Sequence, residues 1–226
     1  MYNLYRIRSQ NMDSKAAFRA LSPALLDQVN QAVAVLRGGG IVAYPTDTVY
    51  GLGADIYNDE AVSRVYHIKE RPLSQPLPVL VADISQAGLL MDDQSKQAQL
   101  LMKRYWPGGL TIVFHKNPEV NSLVLAGRGK IGIRIPHHDI TRAMIADLGR
   151  PIVGTSANLH GKPAALTAAE VRDQLGSKVD FILDGGTCPG SRESTVIDLT
   201  VETPTILRQG TIEEDEILAL IKTGGN

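Results

Sequence analysis

The stretch GGIVAYPTDTVYGLGADI, residues 39–56, decides what kind of fold this chain can adopt. Gly39 and Gly40, with Gly38 before them, stop the preceding helix, because glycine enters left-handed backbone without steric cost. IVAY at 41–44 is a short apolar run of strand length and reads as a buried strand. PTDTVYGLG at 45–53 then reads as a proline turn, a β-branched strand and a glycine bend. A helix running into a buried strand is the signature of an α/β fold.

Working outward, the same alternation continues. Ser22 is a candidate N-cap with Pro23 at the first helical position, and Leu25, Leu26, Val29, Ala32, Val33 and Leu36 recur at helical spacing. Asp59 is the candidate cap of a helix carrying Val62, Val65 and Tyr66. PVLVA (78–82), LTIVF (110–114) and IGIRIP (131–136) read as strands, with a helix over 95–105 before the second. Residues 140–148 look helical, with Gly149 behind them. IVGTSAN (152–158) starts as a strand and ends in a polar turn. Thr167 and Glu170 form a capping box. VDFIL (179–183), TVIDL (195–199) and TILR (205–208) are late strands, and Thr211 with Glu214 caps a final helix near Ile221. Several late strands have no helix between them, which predicts a mixed sheet. Residues 1–20 read as an arm or an edge segment, and 21–226 as one domain.

Composition narrows the function classes. Hydrophobic content of 43 % and charged content of 21 % are those of an ordinary soluble protein. A net charge of −1 provides no global field toward nucleic acid or anionic membrane. The single cysteine, Cys188, excludes an intramolecular disulfide and a four-cysteine zinc site. No apolar run approaches the ~20 residues of a membrane span, and the N-terminus lacks a signal-peptide core. These features predict a cytoplasmic protein. GRGK at 127–130 is not a P-loop, and GLGAD at 51–55 lacks the third glycine of a dinucleotide fingerprint. His137 and His138, adjacent on an extended chain, point apart and read as solvated histidines.

Four segments carry candidate chemistry: PTDTVYGLG, KERP (69–72), TSAN (155–158) and STVIDL (194–199). PTDTVYGLG is either no more than that turn, strand and bend, or a site in which Thr46, Thr48 and Tyr50 supply hydroxyls around a small ligand and glycines 51 and 53 let backbone approach it. Lys69 and Arg71 sit where a helix ends before Pro72; they either satisfy the helix C-terminus or bind polyphosphate. Ser156 and Asn158 either cap a turn or bind a ligand beyond a strand end. Arg134, alternating within an apolar strand, calls for a carboxylate or phosphate partner. Arg208 in ILRQG raises the same question.

Taken in order, GGIVAYPTDTVYGLGADI, IKERPLSQPL, YWPGGLTIV, IGIRIPHH, TSANLHGKP, STVIDL and ILRQG strongly resemble the YrdC-like family of threonylcarbamoyl-AMP synthases. The resemblance implies a twisted, mostly mixed sheet flanked by helices, with a deep basic cleft. Longer relatives carry an extra C-terminal domain, and this chain resembles the single-domain form. The implied activity joins L-threonine, bicarbonate or CO₂, and ATP (with Mg²⁺ carried by the nucleotide) into threonylcarbamoyl-AMP and pyrophosphate. The product serves tRNA threonylcarbamoyladenosine formation through downstream transferase proteins.

Carried over by position, Thr46, Arg134, Gly154 and Ser194 are expected around threonine, with Arg134 on its carboxylate. Lys69, Arg71, Gln75, Lys130, Ser156, Asn158, Ala164 and Arg208 are expected around ATP, with Lys130 and Ala164 acting through backbone. Lys69 and Arg71 act electrostatically, no protein nucleophile is required, and no metal ligand comes from the protein. Gln75 and Leu80 depart from residues common in relatives. Two rival readings stay open. One is an orphan or carbamoyl-transferring member of the same superfamily. The other is a module for double-stranded RNA or tRNA without synthase activity, although weak RNA binding is also compatible with the enzyme.

Overall fold

The computed structural model describes residues 21–93, 95–190 and 192–224. The expectation for residues 1–20 lies outside them. Ser22 caps α1 (Pro23–Arg37), accepting a hydrogen bond from the Leu25 amide, and Val29, Ala32, Val33 and Leu36 form its buried stripe. The chain leaves the helix through Gly39 at φ +79°, a left-handed conformation that glycine adopts freely.

β1 (Val42–Tyr44) pairs antiparallel with β2 (Gly51–Gly53) and parallel with β8 (Phe181–Ile182). β7 (Thr155–Ser156) completes a four-stranded sheet in the order β7-β2-β1-β8. GLG is thus a strand, not a bend. The reason is the Tyr44 ring: a Cβ at Gly51 would lie 2.5 Å from it and one at Gly53 2.6 Å. The glycines make room for that ring, whose hydroxyl donates to Val153 O at 2.7 Å.

The second sheet has the order β10-β9-β4-β5-β3-β6. It comprises β3 (Val79–Leu80), β4 (Leu110–His115), β5 (Lys130–Arg134), β6 (Ile152–Val153), β9 (Thr195–Asp198) and β10 (Thr205–Arg208). β4 runs parallel to β9 and antiparallel to β5, while β3 is parallel to β5 and antiparallel to β6, so the sheet is mixed as expected. IVGTSAN is two strands in two sheets, joined at Gly154. The Gly154 amide donates to Pro78 O at 2.8 Å, and a Cβ there would stand 2.8 Å from the Leu80 side chain.

Helices cover both sheets: α2 (Asp59–Ile68), α3 (Ile84–Gly88), α4 (Lys96–Tyr105), α5 (Asp139–Leu148), α6 (Ala168–Leu175) and α7 (Glu214–Gly224). The cap of α2 is Asn58, which accepts from the Ala61 amide; Asp59 lies in the first turn, where its charge complements the helix dipole. α7 begins at Glu214 itself, so Thr211 stands ahead of it and does not cap it. Thr167 accepts from the Glu170 amide, but the Glu170 carboxylate turns back to the Leu166 amide instead of the cap residue. One core cluster lies between α1, α5 and the first sheet, around Val33, Leu36, Tyr44, Met144 and Ile145. A larger one unites both sheets with the remaining helices. Among the described residues no helix is long and apolar enough to cross a membrane.

Candidate active site

A cavity of about 590 Å³ opens between the two sheets. Its floor follows from strand alternation. On β5, Lys130, Gly132 and Arg134 face it while Ile131 and Ile133 enter the core; on β4, Thr111 and Val113 face it while Leu110, Ile112 and Phe114 are buried. On β9, Val196 and Asp198 line it and Ile197 turns away. Register places Arg134, Thr111, Val196 and Arg208 on neighbouring strands in one row. The opposite wall comes from Tyr44, the 46–51 segment, and Gly154 to Ser156. Five cationic side chains (Arg71, Arg128, Lys130, Arg134, Arg208) and two carboxylates (Glu193, Asp198) line it.

Arg134 is buried and held on three sides. Its Nε donates to Gly108 O at 2.8 Å, one terminal nitrogen to Thr48 Oγ1 at 3.1 Å, and the other to Asp47 Oδ1 at 2.7 Å. Of the five N–H donors of a guanidinium, one on each terminal nitrogen has no partner among the described residues. Asp47 Oδ1 also accepts from the His137 amide at 2.9 Å.

The Thr46 hydroxyl is internally committed. It donates to Val49 O at 2.7 Å, accepts from the amides of Thr48 and Val49, and sits 2.9 Å from Thr48 Oγ1. Ser194 Oγ lies 2.8 Å from Thr111 Oγ1 and accepts from an Arg208 terminal nitrogen at 3.0 Å. Arg208 also binds Ser194 O through Nε at 3.1 Å and pairs with the Glu193 carboxylate. Lys130 pairs with Asp198 at 3.0 Å through its side chain. Burial alone would raise the Asp198 carboxyl, but hydrogen bonds from Thr200 and Lys130, and the Lys130 charge, hold it below its usual value.

Lys69 does not line the cavity. Its ammonium lies behind the wall and donates to Ser156 O at 2.8 Å, Asn158 O at 2.7 Å and Asn158 Oδ1 at 2.7 Å. Burial lowers its pKa to about 8; Glu193 pulls upward and Arg71 adds to the lowering. Arg71 does face the cavity. It donates to Pro76 O at 2.8 Å, its Nε is buried without a partner, and burial lowers its pKa.

Eight of the twelve expected site residues thus meet at one cavity: Thr46, Arg71, Lys130, Arg134, Gly154, Ser156, Ser194 and Arg208. Lys69, Gln75, Asn158 and Ala164 do not line it. Gln75 is exposed, and its carbonyl accepts from the Tyr66 hydroxyl. Lys69 and Asn158 stand directly behind Ser156. The Tyr50 hydroxyl is spent on Gly186 O at 2.9 Å. His138 is half-buried, with Nδ1 shut away from partners, and is not a solvated side chain.

Sequence reasoning missed Thr111, Glu193, Asp198 and the Asp47 partner of Arg134. Thr111 and Asp198 were findable, since each is a polar residue alternating with buried apolar ones, the signal that exposed Arg134. Glu193 and Asp47 lie in loops and carry no periodic signal.

Residues 34–210 match the family profile Sua5_yciO_yrdC, described as telomere recombination. A Bacillus subtilis protein named threonylcarbamoyl-AMP synthase is 43 % identical over 195 residues, 86 % of this chain and 56 % of the relative. A Vibrio vulnificus protein of the same name is 35 % identical over 188 residues, 82 % of this chain and 100 % of the relative. Among solved structures, Pyrococcus abyssi Sua5 complexed with L-threonine superimposes with a TM-score of 0.82 at 38 % identity, over 85 % of this chain and 57 % of that one. The chain therefore spans little more than half the length of the Bacillus and Pyrococcus relatives and all of the Vibrio one.

Proposed function

This chain belongs to the Sua5/YciO/YrdC family, and on that premise we propose that it is an L-threonylcarbamoyladenylate synthase, a nucleotidyltransferase. The observation that carries the reading is the cavity itself: hydroxyls, the buried Arg134, three further arginines and a lysine converge there, with no cluster of free carboxylates among the described residues. That inventory suits a reaction between two anions.

The threonine amine and CO₂ give a carbamate, already nucleophilic. Its oxygen attacks the α-phosphorus of ATP; the O–Pα bond forms, the bond to the bridging oxygen breaks, and the electron pair leaves with pyrophosphate. The protein supplies position and charge. We assign the two open N–H groups of Arg134 to the threonine carboxylate, a planar acceptor that suits the guanidinium fork. Ser194 and Thr111 sit beside it as hydroxyl partners. Arg71, Ser156, Arg208 and Lys130 take the nucleotide side. Lys69 acts from behind, fixing Ser156 and Asn158. Mg²⁺ enters as part of the MgATP substrate; Glu193 and Asp198 each already hold a cation, so the phosphates are its ligands. The excess of cations over carboxylates in the lining supports the expected basic cleft.

A purely RNA-binding role leaves the buried Arg134 and the hydroxyl cluster without purpose, and a synthase reading uses both. The product passes to tRNA-modifying transferase proteins in the cytoplasm. Incubation with ATP, threonine, bicarbonate and Mg²⁺, followed by mass spectrometry, tests the activity. Threonylcarbamoyl-AMP should appear and should vanish without threonine; its absence where the Bacillus subtilis relative makes it refutes the proposal.

A further inference from the structure

The segment GRGK at 127–130 is no P-loop, yet its arginine occupies a telling place. Arg128 stands on the wall shared by the main cavity and a second one of about 570 Å³. Its guanidinium donates to Ser74 O at 3.1 Å and forms no ion pair with any described carboxylate. The other floor cations differ: Arg134 has Asp47, Arg208 has Glu193, and Lys130 has Asp198. Only Arg71 resembles Arg128, donating to Pro76 O in the same short loop. Two arginines without carboxylate partners therefore flank residues 74–76.

We infer that Arg128 is a further catalytic residue, which binds the β- and γ-phosphates of ATP and stabilises the pyrophosphate as it leaves. The inference rests on the proposed synthase reading. Arg134 stands four residue steps along the strand from Lys130, roughly 13 Å at the usual rise, and Arg128 lies beyond Lys130. It is thus at the far end of the cavity from the amino-acid pocket, where the leaving group of an in-line attack belongs. As the Pα–O bond breaks, negative charge grows on the pyrophosphate, and an uncompensated guanidinium responds to it more strongly than one already neutralised. The backbone permits adjustment toward the ligand. Ala126 and Gly127 are both left-handed, at φ +52° and +70°, and a Cβ at Gly127 or Gly129 would meet nothing within 4 Å.

The test uses Arg128→Gln and Arg128→Lys with inorganic pyrophosphate and AMP as calorimetric probes, each variant checked for an unchanged thermal midpoint. Pyrophosphate affinity of Arg128→Gln should fall on the order of tenfold or more, the worth of one charge-assisted hydrogen bond. AMP affinity and the KM for threonine should hold, kcat should drop, and Arg128→Lys should recover part of both losses. Unchanged pyrophosphate affinity, or an equal loss for AMP, overturns the assignment. Product formation by the unaltered enzyme decides the synthase reading separately: product with unaffected pyrophosphate binding in Arg128→Gln sinks only this inference. Absence of product sinks the reading, and the pyrophosphate site then stands or falls on the binding result.

Discussion

Replacing Lys69 with methionine removes a buried charge while keeping most of the side-chain length. In the folded chain Lys69 is 9 % exposed, and burial lowers its pKa from 10.5 to about 8. The folded state holds this proton less tightly than the unfolded state. The cost of the buried ammonium is therefore complete below about pH 8 and fades as pH climbs toward the unfolded value. The difference in pKa corresponds to about 3 kcal/mol, of which about 2 kcal/mol develops between about pH 7.5 and about pH 9.5. Methionine removes that cost but strips Ser156 O, Asn158 O and Asn158 Oδ1 of their donor, a loss of ~1–3 kcal/mol per group if each stays buried and unmet. Near neutral pH the terms oppose each other, so the variant should stay folded. Urea denaturation of both proteins at the two pH values isolates the lysine, since all other titrating groups are common. The unaltered protein should gain about 2 kcal/mol over Lys69→Met on going from the lower to the higher pH. Parallel pH responses would refute the reasoning. Because Lys69 anchors the wall that carries Ser156, the KM for ATP should rise in the variant even where it is fully folded.

Four further outcomes are expected. Arg134→Lys keeps a charge but loses the fork; the KM for threonine should rise more than that for ATP, and the reverse order would move Arg134 to the nucleotide side. Gly210→Ala places a Cβ 2.3 Å from Glu193 O and 2.4 Å from Thr195 N, so thermal melting should show a loss of several kcal/mol, on the order of an overpacked core. Gly132→Ala meets only ordinary contacts, at 3.5 Å from Thr111, and should fold normally while crowding the cavity floor and lowering kcat/KM. Finally, 2-aminobutyrate should be a much poorer substrate than threonine, while serine should lose only the ~1–3 kcal/mol of a methyl contact. With the Thr46 hydroxyl spent on Val49 O, Ser194→Ala should erase this discrimination and Thr46→Val should not.

The sequence determined most of the elements and which side chains of each strand share a face. Period-2 alternation in IGIRIP put Arg134 opposite the core isoleucines, and the same rule in LTIVF and TVIDL covers Thr111 and Asp198. Caps were nearly as legible at Ser22 and Thr167, where local hydrogen bonds decide; Asn58 displaced Asp59 by one residue, a choice that propensity leaves open because both types cap well. Tertiary structure decided the rest. It set GLG as a strand because the Tyr44 ring needs both glycines. It sent IVGTSAN across two sheets through Gly154. It also divided the cations of the cavity into those paired with a carboxylate and those that donate only to backbone carbonyls. Arg134 meets Asp47 across 87 positions of sequence, and Lys69 meets Asn158 across 89. Such pairings arise only when separate strands and loops are brought together in the folded chain. Periodicity and capping are local, whereas the state of a charge depends on every group that packing gathers around it.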